Sequence, residues 1–298
     1  DTTHRKERVL AEVDFESAHT TIYPNAVYQV SGKPYRVERL DYDERRAYVR
    51  ASQDGYYTTA ISYRAVKVLE TFAERLEGDA SVGFGEVCVT ERFVGYKKIR
   101  FGTGENVGYG ELNLPELDLH TMSYWLTLAS KRFPDLADDG ELWARMVHGC
   151  GQVLRTTASL MLMCDPRDID LCIGSVANDQ WLTKGFDGLL VRSTDGEQHT
   201  FGDAYAAGAS AHEQQQGRIG PSLYNPTIFI YDRFPGGVGF GEGLYEQHLE
   251  FIELAHDLVA HCRCEHGCPS CVGPPSPGEE PVREAVAELL RRLFETSD

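Results

Sequence analysis

The chain has 298 residues, of which 42% are hydrophobic, and its 29 basic and 46 acidic residues give a formal net charge of −17 at pH 7. This length accommodates one large domain or two ordinary ones, and the net charge argues against a uniformly basic nucleic-acid-binding protein. No apolar run approaches the ~18 residues that a membrane span needs, and the charged start DTTHRKERVLAEVDF is unlike a signal peptide. These features predict a soluble, cytoplasmic protein that does not interact with membranes.

The charges are unevenly distributed along the chain. Residues 1–104 contain 16 basic and 16 acidic residues, whereas residues 105–298 contain 13 basic and 30 acidic residues. Because a net negative surface repels phosphate groups, any polyanion is expected to meet the N-terminal third.

The first third of the chain predicts a β-rich module. Residues 22–69 contain four segments rich in aromatic and β-branched residues, separated by the turn-forming sequences SGKP, DYDE and SQDG. Four short strands this close suggest a small barrel or a curled sheet. A further hairpin is predicted within residues 82–109, and a strand is predicted at residues 120–128.

The remainder of the chain predicts an α/β domain. Apolar residues recur at three- and four-residue steps within residues 139–163, as on the buried face of a helix, and PTIFIYD (226–232) has the nearly continuous apolar character of a strand buried on both faces. The sequence therefore predicts an α+β fold, with a small β-rich, barrel-like accessory module at residues 1–115 followed by an α/β domain at residues 116–298. Further predictions are strands at 165–174 and 187–193, a mobile loop at 194–222, and helices at 242–261 and from residue 281.

Half of the eight cysteines lie within ten consecutive positions of CRCEHGCPSCVGP (262–274). Zinc binds four thiolates tetrahedrally, and two cysteines separated by two residues can both reach one ion. Because a shell of four thiolates leaves no position for water, we expect one structural Zn²⁺ per chain rather than a catalytic one. The predicted ligands are Cys262, Cys264, Cys268 and Cys271.

Alternatives to this zinc site remain open at the level of sequence. The cysteines could form two disulfides or stay as buried thiols, although the expected compartment is reducing. Iron–sulfur ligation is another alternative, since cysteine spacing alone does not exclude it. His261 and His266 lie inside the cluster and could replace a thiolate, but four cysteines already fill the shell, so we interpret both histidines as bystanders.

Two other stretches have compositions that could bind a ligand. FPGGVGFGEG (234–243) lies between a predicted strand and a predicted helix, where phosphate loops occur, but it contains neither GxGxxG nor a following Gly-Lys-Ser/Thr, so we favour a tight structural turn. Asp165, Asp168 and Asp170 could hold a divalent cation, but we interpret them as solvated acids at a helix end. No catalytic residue is predicted, since the sequence has no convincing Ser/His/Asp set, no HExxH and no Walker motif.

Several segments together resemble the C-terminal region of MrfA-type superfamily 2 DNA helicases, the mitomycin repair helicases, which have fungal relatives of RecQ type. The segments similar to the family's zinc-binding domain are LMCDPRDI (162–169), YDRFPGGVGF (231–240) and CRCEHGCPSCVGP (262–274). The segments similar to the part between the family's motor and its zinc domain are IYPNAVYQVSGKPYRVERLD (22–41), DGYYTT (54–59) and VGYKKI (94–99).

This resemblance implies the accessory and zinc-binding part of an ATP-dependent helicase that moves 3′ to 5′ on DNA and acts in DNA repair. Its RecA-like motor would lie upstream in the same polypeptide, because none of the motor motifs occurs in this chain. The family's zinc ligands correspond to the four cysteines named above. Many members continue with a Cys-Gly-Asn stretch, whereas this chain has VGPPSPGEE (272–280), which leaves the subfamily open. A related domain also occurs in anti-phage defence systems.

The β-rich module contains the candidates for contacts with DNA, which we expect to be single-stranded. Basic and aromatic side chains there could meet phosphates or stack on bases, whereas ordinary solvated strand faces are the alternative for each residue. The candidates are Arg45, Arg46, Tyr96, Lys97, Lys98 and Arg100.

Two other functions were considered. A zinc-dependent enzyme that modifies nucleic acids would use a His-x-Glu pair upstream of a Cys-x2-Cys pair. His248-Leu-Glu250 fits that order, but it falls inside a predicted helix with His248 on the apolar face, and it leaves Cys262 and Cys264 without a role. The other alternative is a protein-docking scaffold whose acidic surface binds a basic partner, for instance in an anti-phage defence system.

Overall fold

The computed structural model describes most of the chain. The predicted strand at 187–193 and the predicted loop at 194–222 lie outside the described residues. Within the described part, no helix is both long and apolar enough to cross a membrane. The described residues are 1–3, 8–77, 80–174, 182–183, 225–275 and 280–295.

The secondary structure confirms the predicted α+β class, with a β-rich first part and helices mainly in the second. The strands are β1 (Val27–Val30), β2 (Lys33–Asp41), β3 (Arg46–Ala51), β4 (Tyr56–Glu77), β5 (Ala80–Arg100), β6 (Asn106–Glu111), β7 (Leu117–Leu128), β8 (Ile169–Gly174), β9 (Leu182–Thr183) and β10 (Thr227–Asp232). The helices are α1 (Phe15–Thr21), α2 (Gly140–Met161), α3 (Phe240–Glu246), α4 (His248–Ala260) and α5 (Arg283–Phe294).

Backbone contacts divide the chain into two compact units. Unit 1 comprises Asp1–Arg64 and Thr90–Leu117, and unit 2 comprises Ala65–Val89 and Asp118–Asp298. The long strands β4 and β5 contribute residues to both units, so each unit is built from two separate stretches of chain. The domain boundary near residue 115 stays a prediction.

The first three strands of unit 1 form an antiparallel sheet in the order β1-β2-β3. The fourth predicted strand, β4, belongs instead to a second sheet with the order β8-β10-β7-β5-β4-β9, in which β6 also pairs with β5. The four strands predicted within residues 22–69 therefore do not share one sheet, because β4 pairs with β5, the long strand that follows it in the chain. The buried core of unit 1 contains Tyr23, Tyr35, Val37, Val49 and Tyr96.

Strand β10 is the centre of unit 2. It pairs antiparallel with β7 on one side and with β8 on the other, and all six of its residues are buried. This arrangement confirms the predicted strand with two buried faces. Ile228 and Ile230 face the main core with Trp143 of α2, whereas Phe229 packs with Trp125 in a second, smaller cluster on the opposite face.

The helix predicted at residues 242–261 is in fact two helices. Gln247 has φ −101° and ψ 27°, and it is both the C-cap of α3 and the N-cap of α4. Glycines at positions 241 and 243 make α3 a weak helix on its own, which explains why the uninterrupted apolar pattern overestimated its continuity. The break places His248 at the start of α4, where only 1% of the residue is exposed.

His248 and Tyr124 form a buried polar pair. The Tyr124 hydroxyl lies 2.8 Å from Nδ1 of His248, and Nε2 of the same ring has no hydrogen-bond partner among the described residues. Burial lowers the pKa of His248 to about 4, because a charged imidazolium at this position would lose its hydration.

This pair predicts a specific loss of stability in acid. The unfolded chain takes up a proton on His248 near pH 6.5, whereas the folded chain does so only near pH 4, so stability falls as the pH drops through that window. When the pH falls from 7 to 5, we expect protonation of this residue to lower the free energy of unfolding by about 2 kcal/mol, measured by urea denaturation.

The matched control is the double variant His248→Phe/Tyr124→Phe, which removes both polar partners and keeps two aromatic rings. Its stability should change less over the same pH range. An equal pH dependence in the two proteins would contradict the assignment to His248.

Candidate metal centre and nucleic-acid contacts

The four clustered cysteines lie in the connection between α4 and α5. The N–H of Cys262 donates to the carbonyl oxygen of Val259 at 3.3 Å, which closes the last turn of α4. Arg283, the first residue of α5, donates from Nη1 to the carbonyl oxygens of Val259 (3.4 Å) and Cys262 (3.3 Å). The backbone of the first cysteine is therefore fixed by both helices.

A tight turn positions the last two cysteines. The carbonyl oxygen of Cys268 accepts the N–H groups of Cys271 at 3.0 Å and Gly273 at 2.9 Å. Gly267 has φ +121°, and a Cβ at this position would overlap the carbonyl oxygen of Gly273. Only glycine satisfies both conditions.

The sulfur atoms form a compact group. The Sγ atoms of Cys262 and Cys268 are 3.7 Å apart, and the pairs Cys264–Cys271 and Cys268–Cys271 are each 3.5 Å apart. All four Sγ atoms lie within 4.8 Å of one another. Four sulfurs at ~2.3 Å from one zinc ion would be about 3.8 Å apart, so the group fits a single tetrahedral zinc ion.

The same distances argue against the alternatives. A disulfide needs sulfurs about 2.05 Å apart, and the Sγ atoms of the clustered pairs are instead 3.5 to 3.7 Å apart. An iron–sulfur cluster places several iron atoms between its thiolates and so needs wider spacing than a single ion. The site is therefore a structural zinc site, as predicted.

The pKa values of the cysteines predict that zinc binding is coupled to proton release. Burial raises the pKa of Cys271 to about 12 and raises that of Cys264, whereas a hydrogen bond from the backbone N–H of Cys264 lowers the pKa of Cys262 to about 7. Without a positive ion, these neighbouring groups would not all be thiolates at neutral pH. Zinc binding must therefore release protons.

Neither neighbouring histidine is placed as a ligand. Nδ1 of His261 hydrogen-bonds to the carbonyl oxygen of Asp257 at 3.0 Å, and His266 lies 3.9 Å from Glu265 on the surface. The His248-x-Glu pair is also separate from the cysteines, since His248 is buried against Tyr124. Throughout the described residues, the cysteine group is the only one that brings three or more possible metal ligands together.

The acidic stretch after α2 does not converge on a cation. Asp165 accepts two hydrogen bonds from the Arg167 guanidinium, at 3.0 and 2.8 Å, and this pairing lowers the pKa of Asp165 to about 2. Asp170 lies 3.9 Å from the side chain of Arg155. The pairing of Asp165 agrees with its interpretation as a solvated acid, whereas that interpretation is wrong for Asp170, which is 8% exposed and lies within β8.

The glycine-rich turn is filled by a side chain of the protein itself. One carboxylate oxygen of Asp232 accepts the N–H groups of Val238 (2.6 Å), Gly239 (3.1 Å) and Phe240 (3.4 Å) at the start of α3. These donors are the ones that a phosphate would use. Gly237, with φ +73°, packs so closely that a Cβ would lie 2.5 Å from Cγ of Met122. The turn therefore has the structural role that was predicted.

Two glycines in this turn give a matched pair of variants. Gly236→Ala introduces only the strain of a positive φ (+78°), because nothing lies within 4 Å of the added Cβ, whereas Gly237→Ala adds the overlap with Met122. We expect a loss of about 1–2 kcal/mol for Gly236→Ala and a larger loss for Gly237→Ala, measured by thermal or urea denaturation. Equal losses would mean that close packing against Met122 is unimportant.

The candidate DNA contacts of strand β5 lie on two faces. Lys97 pairs across the hairpin with Tyr109, and Lys98 pairs with Gly108. Because neighbouring residues of a strand point to opposite faces, Lys97 and Lys98 cannot both contact the same flat surface. Arg100 ends β5, where its guanidinium lies 3.6 Å from Glu105.

The other candidates have more varied positions. Tyr96 is 7% exposed and its ring lies 5.5 Å from that of Tyr23, which favours a packing role. Arg45, with φ +50°, lies 5.7 Å from the ring of Phe15, and Arg46 lies 3.9 Å from Glu44. The structure thus places one group on β5 and another at the turn between β2 and β3. Two exposed aromatic residues were missed by the sequence analysis, namely Tyr57 and Tyr109.

The fold and the cysteine site define a zinc-binding α+β protein, and residues 150–272 match the family model of the MrfA Zn-binding domain. The chain is 30% identical over 287 residues to the uncharacterized ATP-dependent helicase YprA of Bacillus subtilis (strain 168), a match that covers 96% of this chain and 32% of that protein. It is 39% identical over 46 residues to the uncharacterized protein MJ1572.1 of Methanocaldococcus jannaschii, covering 15% and 41% of the two chains.

Solved structures of the DUF1998 helicase MrfA are also similar to this chain. The crystal structure of MrfA bound to DNA matches with a TM-score of 0.58 and 28% identity, over 93% of this chain and 31% of that one. The structure of MrfA bound to DNA and AMPPNP matches with a TM-score of 0.50 and 27% identity, over 94% and 28%. The chain thus spans about a third of these helicases. The predicted resemblance to MrfA-type helicases, with their zinc-binding domain, is confirmed.

Proposed function

We propose that the chain is the accessory, zinc-binding part of an ATP-dependent superfamily 2 DNA helicase and helps to bind and guide DNA. The RecA-like motor would lie upstream in the same polypeptide. Translocation from 3′ to 5′, a role in DNA repair and the relation to fungal RecQ-type enzymes belong to this proposal. It is based on the resemblance described above.

One observation carries the proposal. The similarity to the helicase YprA extends over 96% of this chain, yet it covers 32% of that protein. An alignment of this extent is expected for a region that works beside other domains. The similarity to MrfA, which has been crystallised with DNA and with AMPPNP, supports a place beside an ATP-driven motor.

We further propose that Cys262, Cys264, Cys268 and Cys271 form the complete zinc shell. The metal would hold α4 and α5 together, where Cys271 and Val272 also pack into the main core of unit 2. A closed shell supplies rigidity rather than chemistry, so the domain would be a platform for the neighbouring parts of the helicase.

DNA is proposed to contact unit 1. The N-terminal third of the sequence has balanced charges, whereas the remainder has an excess of acidic residues that repels phosphate. Single-stranded DNA is the proposed ligand, and the contacts are proposed to come from the two basic groups of unit 1, Arg45 with Arg46 and Lys97 with Lys98 and Arg100. Tyr96 is proposed to support the second group from the core.

Removal of one zinc ligand tests the metal centre. Cys268→Ser should release the metal and unfold the region around residues 242–298, since structural zinc contributes on the order of 10–16 kcal/mol of apparent binding free energy in small zinc domains. Zinc content is measured by mass spectrometry and local order by hydrogen exchange. The control Cys164→Ser changes a free cysteine outside the cluster and should retain one zinc per chain. Full zinc content in Cys268→Ser would contradict the proposed shell.

Removal of charge tests the DNA contact. The variant with Lys97, Lys98 and Arg100 changed to Ala should bind single-stranded DNA more weakly and with unchanged zinc content. Its slope of log K against log salt should fall by about 1 to 2, because Lys97 and Lys98 point to opposite faces of β5 and each lost phosphate contact removes about one unit.

The control variant for this experiment loses the same charge from exposed positions of unit 2. It should bind DNA as the original chain does. Weakening of similar size in both variants would show that net charge, rather than the proposed contact, governs binding. The control changes are Lys67→Ala, Lys131→Ala and Arg233→Ala.

A further inference from the structure

Strands β4 and β6 present exposed aromatic rings within unit 1. Tyr57 of β4 is 38% exposed and Tyr109 of β6 is 42% exposed. The ring of Tyr57 lies 5.6 Å from that of Phe101, which directly follows β5. Exposed aromatic rings on a strand surface can contact a binding partner.

Backbone alternation places these rings on one face. The hydroxyl of Thr58 accepts the N–H of Val27 at 2.9 Å, so Thr58 points towards the three-stranded sheet and its neighbour Tyr57 points away. Tyr96 is buried in the core of unit 1, so Lys97 points away, together with its cross-strand partner Tyr109. We call the surface formed by Tyr57, Lys97 and Tyr109 the outer face.

The charges beside the rings favour an anionic partner with flat apolar groups. Lys97 shares the outer face with Tyr109, and Arg100 lies at the end of the same strand beside Phe101. An apolar protein partner would instead require a surface patch whose centre contains no cations. Glu105 lies 3.6 Å from Arg100 and partly offsets its positive potential. We therefore expect stacking on the aromatic rings to supply much of the affinity for the partner.

We propose that the outer face is a base-stacking platform for single-stranded DNA. Tyr57 and Tyr109 stack on bases, and Lys97 and Arg100 contact the phosphates between them. Aromatic stacking of this kind tolerates any sequence, because every base has a π-face. This inference rests on the proposed binding of DNA to unit 1, and it assigns the stacking role to two residues other than the buried Tyr96.

Oligonucleotides with and without bases separate stacking from phosphate contact. The intact chain should bind oligo(dT) more tightly than an abasic oligonucleotide of equal length, measured by fluorescence anisotropy at low salt. Tyr57→Leu and Tyr109→Leu should each weaken binding of oligo(dT) by about 5-fold to 100-fold and leave binding of the abasic strand almost unchanged. Tyr57→Phe and Tyr109→Phe should bind as the original chain does, since the rings are retained.

Matched control variants show whether a change in affinity comes from lost stacking or from altered folding. Phe72→Leu removes a 47%-exposed ring of unit 2 and should leave both affinities unchanged. Zinc content and the thermal melting temperature should be the same in all these variants.

Three results would overturn the inference. If Lys97→Ala weakens binding while the Leu variants bind oligo(dT) normally, the proposed DNA contact stands and the stacking platform does not. If the intact chain binds neither oligonucleotide, both proposals fail. If the Leu variants lose only self-association, measured by light scattering, the outer face is an interface between copies of this chain.

Discussion

Four sulfur atoms within 4.8 Å of one another are the constraint on which the second half of the structure depends. A single cation bound by all four thiolates would cross-link the segment that connects α4 to α5. The cross-link is continuous with the core, because Cys271 is fully buried beside residues of the main cluster. Arg283 reinforces it by donating to carbonyl oxygens at the end of α4.

The rest of unit 2 provides a rigid support for the cysteine segment. Strand β10 is buried on both faces and connects through Asp232 to the turn that starts α3. The carboxylate of Asp232 takes the N–H groups that a ligand would otherwise use, so this turn fixes α3 rather than binding phosphate. The cysteine site, the core and the turn are therefore parts of one scaffold.

Features that depend on residues close together in the sequence could be predicted, whereas features that depend on contacts between distant parts of the chain could not. The cysteine site was predictable because ligands within ten residues meet through local turns. Gly267 permits the positive φ that this turn requires. Strand β10 was predictable because burial on both faces leaves a continuous apolar run. The break at Gln247 was not, because the apolar face continues through it. Pairing of β4 with β5 rather than with β3 depends on contacts that no local pattern specifies.

The candidate DNA residues show the same limit. The basic and aromatic composition around residues 94–100 was visible in the sequence, but the direction of each side chain was not. Alternation along β5 separates Lys97 from Lys98 and buries Tyr96, while Tyr109 comes from a partner strand whose register only the structure gives. A reader of the sequence could have found Tyr109 only by assuming the hairpin register.

The central claim is that four cysteine thiolates alone hold the zinc, and X-ray absorption at the zinc edge of the purified chain tests it most directly. We expect one zinc per chain with four sulfur neighbours at about 2.3 Å and no nitrogen or oxygen neighbour. A first shell containing a histidine nitrogen or a water oxygen would contradict it. Such a shell would point instead to an open site of the catalytic kind.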